Sequence, residues 1–216
     1  MFKAIVFDLD GVIIESHSSW ERLHEYFNAD EAKRKENMKR YFSGEINYGQ
    51  WIREDVALWK VNGNLPHKSK VEDALKNFVF IDGAEQCIKT LKENSFDLFI
   101  VSAGIDVLAE MAGKILGIKN IWANGFQYDE KGYLTGGDVW RVDLLRKDIV
   151  MKQIMRKFNL RKDEIISIGD SKYDIPMFEL SSMSIAFDPK DEDVKKEADY
   201  VICERNLLRI LDYIDL

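Results

Sequence analysis

The chain has 216 residues, 46% apolar and 32% charged, with 13 Gly, 3 Pro and 2 Cys, which excludes a disordered, collagenous or disulfide-built protein and predicts a globular one. With 31 basic against 38 acidic residues the formal net charge is −7, which argues against nucleic acid and anionic membranes as partners. Cys87 and Cys203 form no CxxC pair and have no His-rich neighbourhood, so both read as packed thiols in a reducing compartment rather than zinc ligands or a disulfide.

In chain order, residues 3–7 are a β-favouring apolar run that stops at Asp8, the pattern of a strand buried on both faces in a parallel sheet. Neither this run nor any later one is long enough for a signal peptide core or a bilayer span, so a cytoplasmic protein is expected. The stretch from Gly11 to the Asp82-Gly83 turn is too long for a simple crossover and predicts an insertion. Trp20, Leu23 and Phe27 line one helical face, Ile52, Val56 and Trp59 a second, and Val71, Leu75 and Phe78 a third, so the insertion reads as a small helical bundle. Trp20, Trp51 and Trp59 are assigned to its core. Lys33-Arg34-Lys35 and Lys39-Arg40 are interrupted by Asp30, Glu31 and Glu36 and read as a solvated helix face rather than a nucleic-acid patch.

Beyond the insertion, Ile88, Leu91 and Lys92 repeat at helical spacing before a strand at 98–101 that ends on Ser102. Residues 118–123 predict another strand, and 126–137, with the turn Asp129-Glu130-Lys131-Gly132, a β-hairpin near the sheet edge. Ile149, Val150, Ile154, Met155 and Phe158 mark a helix before a strand at 165–168, and runs at 183–187 and 200–202 close the series. This alternation predicts an α/β fold with a doubly wound, mostly parallel sheet, a Rossmann-like core of residues 1–14 and 82–216, and an inserted helical cap of residues 15–81. Ligands of such sheets sit at the carboxyl ends of the strands, where Asp8, Ser102 and Asp170 would converge.

Asp8-Leu9-Asp10-Gly11 puts two carboxylates on one side of the chain as it leaves a buried strand. One can attack phosphorus while the other protonates the leaving oxygen and then activates water; a surface Asp-x-Asp-Gly turn is the plain alternative. Gly169-Asp170-Ser171-Lys172-Tyr173-Asp174 adds two acids where a hard cation such as Mg²⁺ could bridge strand ends, with Asp174 also suited to cap a helix carrying Pro176 in its first turn. Ser102-Ala103-Gly104 ahead of a helix at Asp106 offers a hydroxyl and backbone N–H groups to an anion, though a plain βα turn looks the same. Arg146, Lys147 and Lys152 each satisfy the spacing for a cation facing a phosphoryl group.

These motifs, in this order, resemble the haloacid dehalogenase superfamily of phosphohydrolases over nearly the whole chain. The resemblance implies Asp8 as nucleophile, Asp10 as acid/base, and Ser102, Ala103 and Lys147 as the phosphate site. It also implies Mg²⁺ held by Asp8, the Asp10 carbonyl and Asp170, with Asp174 acting behind them or through water. An Asp at position 10 implies the phosphatases and phosphomutases of the superfamily, hence a phosphatase of a small phosphorylated metabolite working through an aspartyl phosphate. A sugar-phosphate mutase or a silent sensor of a phosphorylated ligand are the alternatives. Gly44-Glu45-Ile46-Asn47-Tyr48, Asp82-Gly83-Ala84-Glu85, Gly132-Tyr133-Leu134-Thr135-Gly136 and Ala198-Asp199-Tyr200-Val201-Ile202 are similar to the phosphoserine phosphatase branch. Where that branch carries a cap Glu and a cap Arg for the substrate, this chain has His17 and Asp55, and Tyr173 stands where Asn is usual. His17 itself reads as a polar residue at the hinge between core and cap.

Overall fold

The computed structural model describes residues 1–16 and 18–216. Strands β1 (Ala4–Phe7), β2 (Asp97–Ile105), β3 (Asn120–Tyr128), β4 (Leu134–Val139), β5 (Ile165–Gly169), β6 (Met183–Phe187) and β7 (Tyr200–Ile202) form one sheet in the order β4-β3-β2-β1-β5-β6-β7. Every pairing is parallel except β3 with β4, whose antiparallel hairpin forms the sheet edge. The doubly wound α/β architecture expected from the sequence is the one found.

All four residues of β1 are buried because helices cover both faces of the sheet. Side chains alternate along a strand, and β1 divides them accordingly: Ile5 and Phe7 join a large core with Ile88, Leu91, Leu108 and Ala112, whereas Ala4 and Val6 pack with Val150, Met151 and Ile154. The first layer comes from α5 (Ala84–Glu93) and α6 (Asp106–Leu116), and the second from α7 (Lys147–Phe158). Ile149, expected on the buried face of α7, is exposed; Lys147 lies on that face instead. The short helices α8 (Ile175–Phe178) and α9 (Glu192–Glu197) complete the cover over β5 and β6.

Between β1 and α5 the chain forms α1 (Ser19–Tyr26), α2 (Glu31–Phe42), α3 (Tyr48–Ala57) and α4 (Lys68–Leu75). Local chemistry sets their starts: Ser18, Asp30 and Asn47 each accept a backbone N–H of the first turn, and Gln50 closes a reciprocal capping box with Asn47. Trp59 is fully buried and packs on Phe27, His24 and Phe126. Trp20 and Trp51, expected in the bundle core, are only partly buried and face a cavity. The outgoing and returning segments pair with each other, Glu15 N–H to the Val79 carbonyl at 2.8 Å and Ile81 N–H to the Ile13 carbonyl at 3.0 Å. A second tie joins Lys68 N–H to Gly132 and Leu134 N–H to Pro66, fastening the start of α4 to the β3–β4 hairpin.

Of the two cysteines expected to be packed, Cys87 is buried, whereas Cys203 is exposed just past the end of β7. No helix among the described residues is long and apolar enough to cross a membrane.

Candidate active site

The strand order reverses at β1, whose neighbours β2 and β5 lead in opposite directions across the sheet, and the crevice at such a point collects the residues following each strand. Asp8 follows β1, Ser102 lies within β2 three residues before its end, and Asp170 follows β5; all three border one cavity of about 510 Å³. Ser102 is not beyond the strand as the apolar run suggested. β2 continues to Ile105 through a register shift after Val101, which carries the Ser102-Ala103-Gly104 backbone around the cavity floor.

Lys147, at the start of α7, is 2% exposed and sets its ammonium 3.0 Å from Asp8 Oδ1 and 2.6 Å from Asp174 Oδ1. Arg146 and Lys152, its rivals by spacing, are exposed and both pair with Asp148. Burial alone would lower the Lys147 pKa, but Asp174 and Asp8 outweigh it and hold the amine charged.

Asp174 does not cap α8 with its side chain. It turns back instead: Oδ2 accepts the N–H groups of Asp170 and Ser171 at 3.0 and 3.1 Å and the Ser171 hydroxyl at 3.2 Å. Its oxygens are thus committed to Lys147 and to the loop that carries Asp170.

Burial pushes the Asp8 carboxyl up to about 6, against the pull of Lys147. Burial also raises Asp170 to about 8, reinforced by the charges of Asp174 and Asp8 and opposed by Lys190, whose ammonium stands 2.6 Å from Asp170 Oδ2. Burial raises Asp10 as well, while the Ser19 N–H at 3.3 Å and the Ser19 hydroxyl at 3.1 Å, both donating to Oδ2, favour its charged form. Asp10 Oδ1 is buried with no hydrogen-bond partner.

Asp8, Asp170 and Asp174 each offer an oxygen within 4.8 Å of the others. Gly11 has φ +87°, and a Cβ there would come within 1.9 Å of Asp170 Oδ2, so only glycine lets the loop after β1 pass this close to the acid. Two converging carboxylates with raised pKa values, hard oxygen donors and a backbone kept bare beside them fit a small divalent cation.

The Ser102-Ala103-Gly104 segment has partners that the sequence reading missed. The Ala103 carbonyl accepts from Trp20 Nε1, the Tyr48 hydroxyl and Asn124 Nδ2, each at 3.0 Å. Asn124, fully buried, also accepts the N–H groups of Arg141 and Val142 at 2.8 and 2.9 Å. Ser19 accepts the Ile105 N–H at 3.0 Å. Of these, Tyr48 alone stands in a motif quoted above, at the end of Gly44-Glu45-Ile46-Asn47-Tyr48, and the Ser18-Ser19 pair at a helix start reads equally as a cap. His17 lies outside the described residues.

Within the basic run Arg34 pairs with Glu21, Lys35 with Glu31 and Arg40 with Glu45 and Glu54. Tyr173 stacks on Phe42 of α2 with ring centroids 6.3 Å apart, a contact between the acidic loop and the inserted helices.

Comparison with known proteins agrees with this geometry. Residues 5–179 match the family model for haloacid dehalogenase-like hydrolases. A phosphoserine phosphatase of Methanocaldococcus jannaschii is 32% identical over 98% of this chain and 97% of its own length. One of Lactococcus lactis is 34% identical over 80% of this chain and 78% of its own. A solved phosphoserine phosphatase with bound substrate superposes with a TM-score of 0.80 at 29% identity, covering 100% of this chain and 99% of the other. A phospho-aspartyl intermediate analogue of phosphoserine phosphatase gives 0.79, also at 29% identity and covering 99% of each chain. The chain belongs to the haloacid dehalogenase-like hydrolase family, in its phosphoserine-phosphatase-like branch.

Proposed function

We propose that the protein hydrolyses a small phosphorylated metabolite through an aspartyl phosphate on Asp8, with Mg²⁺ as cofactor. The protein is a phosphoric monoester hydrolase. The observation that carries the mechanism is Lys147, buried between Asp8 and Asp174 at the foot of a cavity that Asp10, Ser102 and Asp170 also line.

Asp8 would be held ionised by Lys147, against the upward push of burial, and so be free to attack. Its oxygen forms a bond to phosphorus as the bond from phosphorus to the ester oxygen breaks. Asp10, whose carboxyl burial keeps prone to protonation, gives its proton to the departing alkoxide. A water then attacks phosphorus, Asp10 takes back the proton, and the bond to Asp8 breaks, releasing inorganic phosphate and restoring both carboxyls. Ser102 and the Ala103 N–H receive the phosphoryl oxygens, while Lys147 offsets their charge. Asp8, the Asp10 carbonyl and Asp170 would hold Mg²⁺, which supplies further positive charge to the transferring group. Asp174 keeps Lys147 and the Asp170 loop in place.

Residues 15–81 are assigned to a cap that covers the cavity, hinged where 13–15 pair with 79–81. The test is phosphate release from phosphorylated metabolites with and without Mg²⁺, with Asp8→Asn as control. Metal-dependent release that the variant lacks is expected; equal release by the variant would overturn the mechanism.

A further inference from the structure

The carbonyl of buried Ala103 receives more donors than burial requires. Trp20 Nε1, the Tyr48 hydroxyl and Asn124 Nδ2 all reach it at 3.0 Å, whereas a carbonyl has two lone pairs and one good partner satisfies it. Asn124, on β3, supplies that partner from the sheet itself. It is fixed there, accepting the N–H groups of Arg141 and Val142 and donating to the Val142 carbonyl at 2.8 Å. The other two donors come from the insertion, Trp20 from α1 and Tyr48 from the first residue of α3. Burial pushes the Tyr48 hydroxyl well above its ordinary pKa, so it keeps the proton it donates.

The other side of the same peptide touches the site. In a planar trans peptide the N–H points opposite to the C=O, and here the Gly104 N–H donates to Ser102 Oγ at 3.0 Å. A Cβ on residue 104 would come within 2.3 Å of Ser19 Oγ, 2.7 Å of Asp10 Oδ2 and 3.0 Å of Ser102 Oγ, so only glycine lets the peptide lie against these groups. A hydroxyl oxygen that accepts one hydrogen bond still has its own hydrogen to donate, and Ser102 borders the cavity. The bonds therefore run head to tail, from Trp20 and Tyr48 into the carbonyl and from the Gly104 N–H into Ser102. Hydrogen bonds in series polarise one another, so each donor on the carbonyl makes the N–H of its peptide a stronger donor.

We propose that the Ala103–Gly104 peptide is a relay through which Trp20 and Tyr48 aim and strengthen the Ser102 hydroxyl as a donor to the phosphoryl group. The inference rests on the phosphatase reading above and adds how the insertion regulates that same site. Trp20 and Tyr48 are positioning residues, acting through Ser102. When the inserted helices lift, Ala103 keeps Asn124 and stays satisfied, but the relay loses both outer donors. Seating of the insertion and binding of the phosphoryl group then favour each other, as coupled equilibria must.

Tyr48→Phe removes one hydroxyl and keeps the ring. Its effect is read in the wild type and in Ser102→Ala, as kcat/KM for p-nitrophenyl phosphate and as the inhibition constant of inorganic phosphate, with melting curves to confirm folding. With Ser102 present, kcat/KM should fall and the inhibition constant rise by about two- to tenfold, the range of one lost hydrogen bond. Without Ser102 both factors should shrink towards one. Trp20→Phe should follow the same pattern, and either variant decides should the other not fold. Tyr41→Phe is the control, because it breaks another bond between insertion and core, Tyr41 hydroxyl to Asp143 Oδ1 at 2.8 Å, without touching Ala103. Its factor should be the same in both backgrounds.

A Tyr48→Phe factor that is equal in the two backgrounds, or no effect with Ser102 present, would overturn the relay. A Tyr41→Phe effect that depends on Ser102 to the same degree would overturn it too, by assigning the coupling to the seating of the insertion at large. These outcomes leave the phosphatase reading standing. No hydrolysis of any ester by the wild type would instead overturn that reading and the relay with it.

Discussion

Ser19 Oγ donates to Asp10 Oδ2 at 3.1 Å while accepting the Ile105 N–H at 3.0 Å, so one hydroxyl in the first turn of α1 joins the proposed acid to the end of β2. Its hydrogen bond favours the charged form of Asp10 and opposes the upward push of burial. Ser19→Ala should raise the Asp10 pKa further, moving the alkaline limb of the kcat profile to higher pH and lowering kcat by about tenfold through lost positioning. A pH–rate profile measures both, and a variant with the wild-type profile would mean that Ser19 does not act on Asp10.

Asp8→Asn should cut turnover by about a thousandfold or more, since no other group is aligned to attack. Asp10→Asn should cost about a hundred- to ten-thousandfold, and the loss should be smaller for esters whose alcohol leaves without a proton. Steady-state rates on p-nitrophenyl phosphate and on an alkyl phosphate test the difference.

Lys147→Met leaves Asp8 and Asp174 buried and facing each other without their shared cation. Breaking such a buried arrangement costs about 3–5 kcal/mol at neutral pH. Denaturant unfolding should show most of that loss at pH 7.5 and less near pH 4.5, below the value of about 6 to which Asp8 is raised.

Asp170 is raised to about 8 and Asp8 to about 6, both from an ordinary 3.8. The metal-free folded protein therefore binds protons more tightly than the unfolded chain, and its stability should fall as pH rises from about 4 to about 8. Mg²⁺ binds the deprotonated carboxylates, so the rise in Tm on adding Mg²⁺ should grow over the same interval. Melting curves at pH 5, 6.5 and 8, with Mg²⁺ and with chelator, measure it. An increment in Tm that is equal at all three values would contradict this account of the site.

Gly11→Ala would force a left-handed backbone on alanine and drive its Cβ into Asp170 Oδ2. Both stability and Mg²⁺-dependent turnover should drop, and the concentration of Mg²⁺ giving half-maximal rate should rise. Unchanged metal dependence would show that the loop after β1 does not shape the site.

The sequence carried the sheet because buried parallel strands are short apolar runs with abrupt polar ends. β6 and β7 match their predicted limits, and β1 and β5 do so within a residue. It carried Asp8, Asp10 and Asp170 for the same reason: each sits where such a strand stops. It did not carry the true end of β2, because the bulge that extends the strand through Ser102-Ala103-Gly104 depends on pairing with β3. Nor did it reveal that Trp20 and Trp51 face the cavity while Trp59 fills the core, since a large aromatic on a helix suits a cavity wall as well as a packed interior.

What the sequence determined by itself was the layered α/β fold and the order of its acidic strand ends, because both are properties of local runs. Only the tertiary structure selected Lys147 over Arg146 and Lys152, turned Asp174 back onto Asp170 and Ser171, and buried Asp55 against Asn37 and His24. Each of these depends on which distant groups share a buried volume. Low-dielectric neighbours fix the protonation and partners of a side chain, and nothing in its own stretch of chain specifies them.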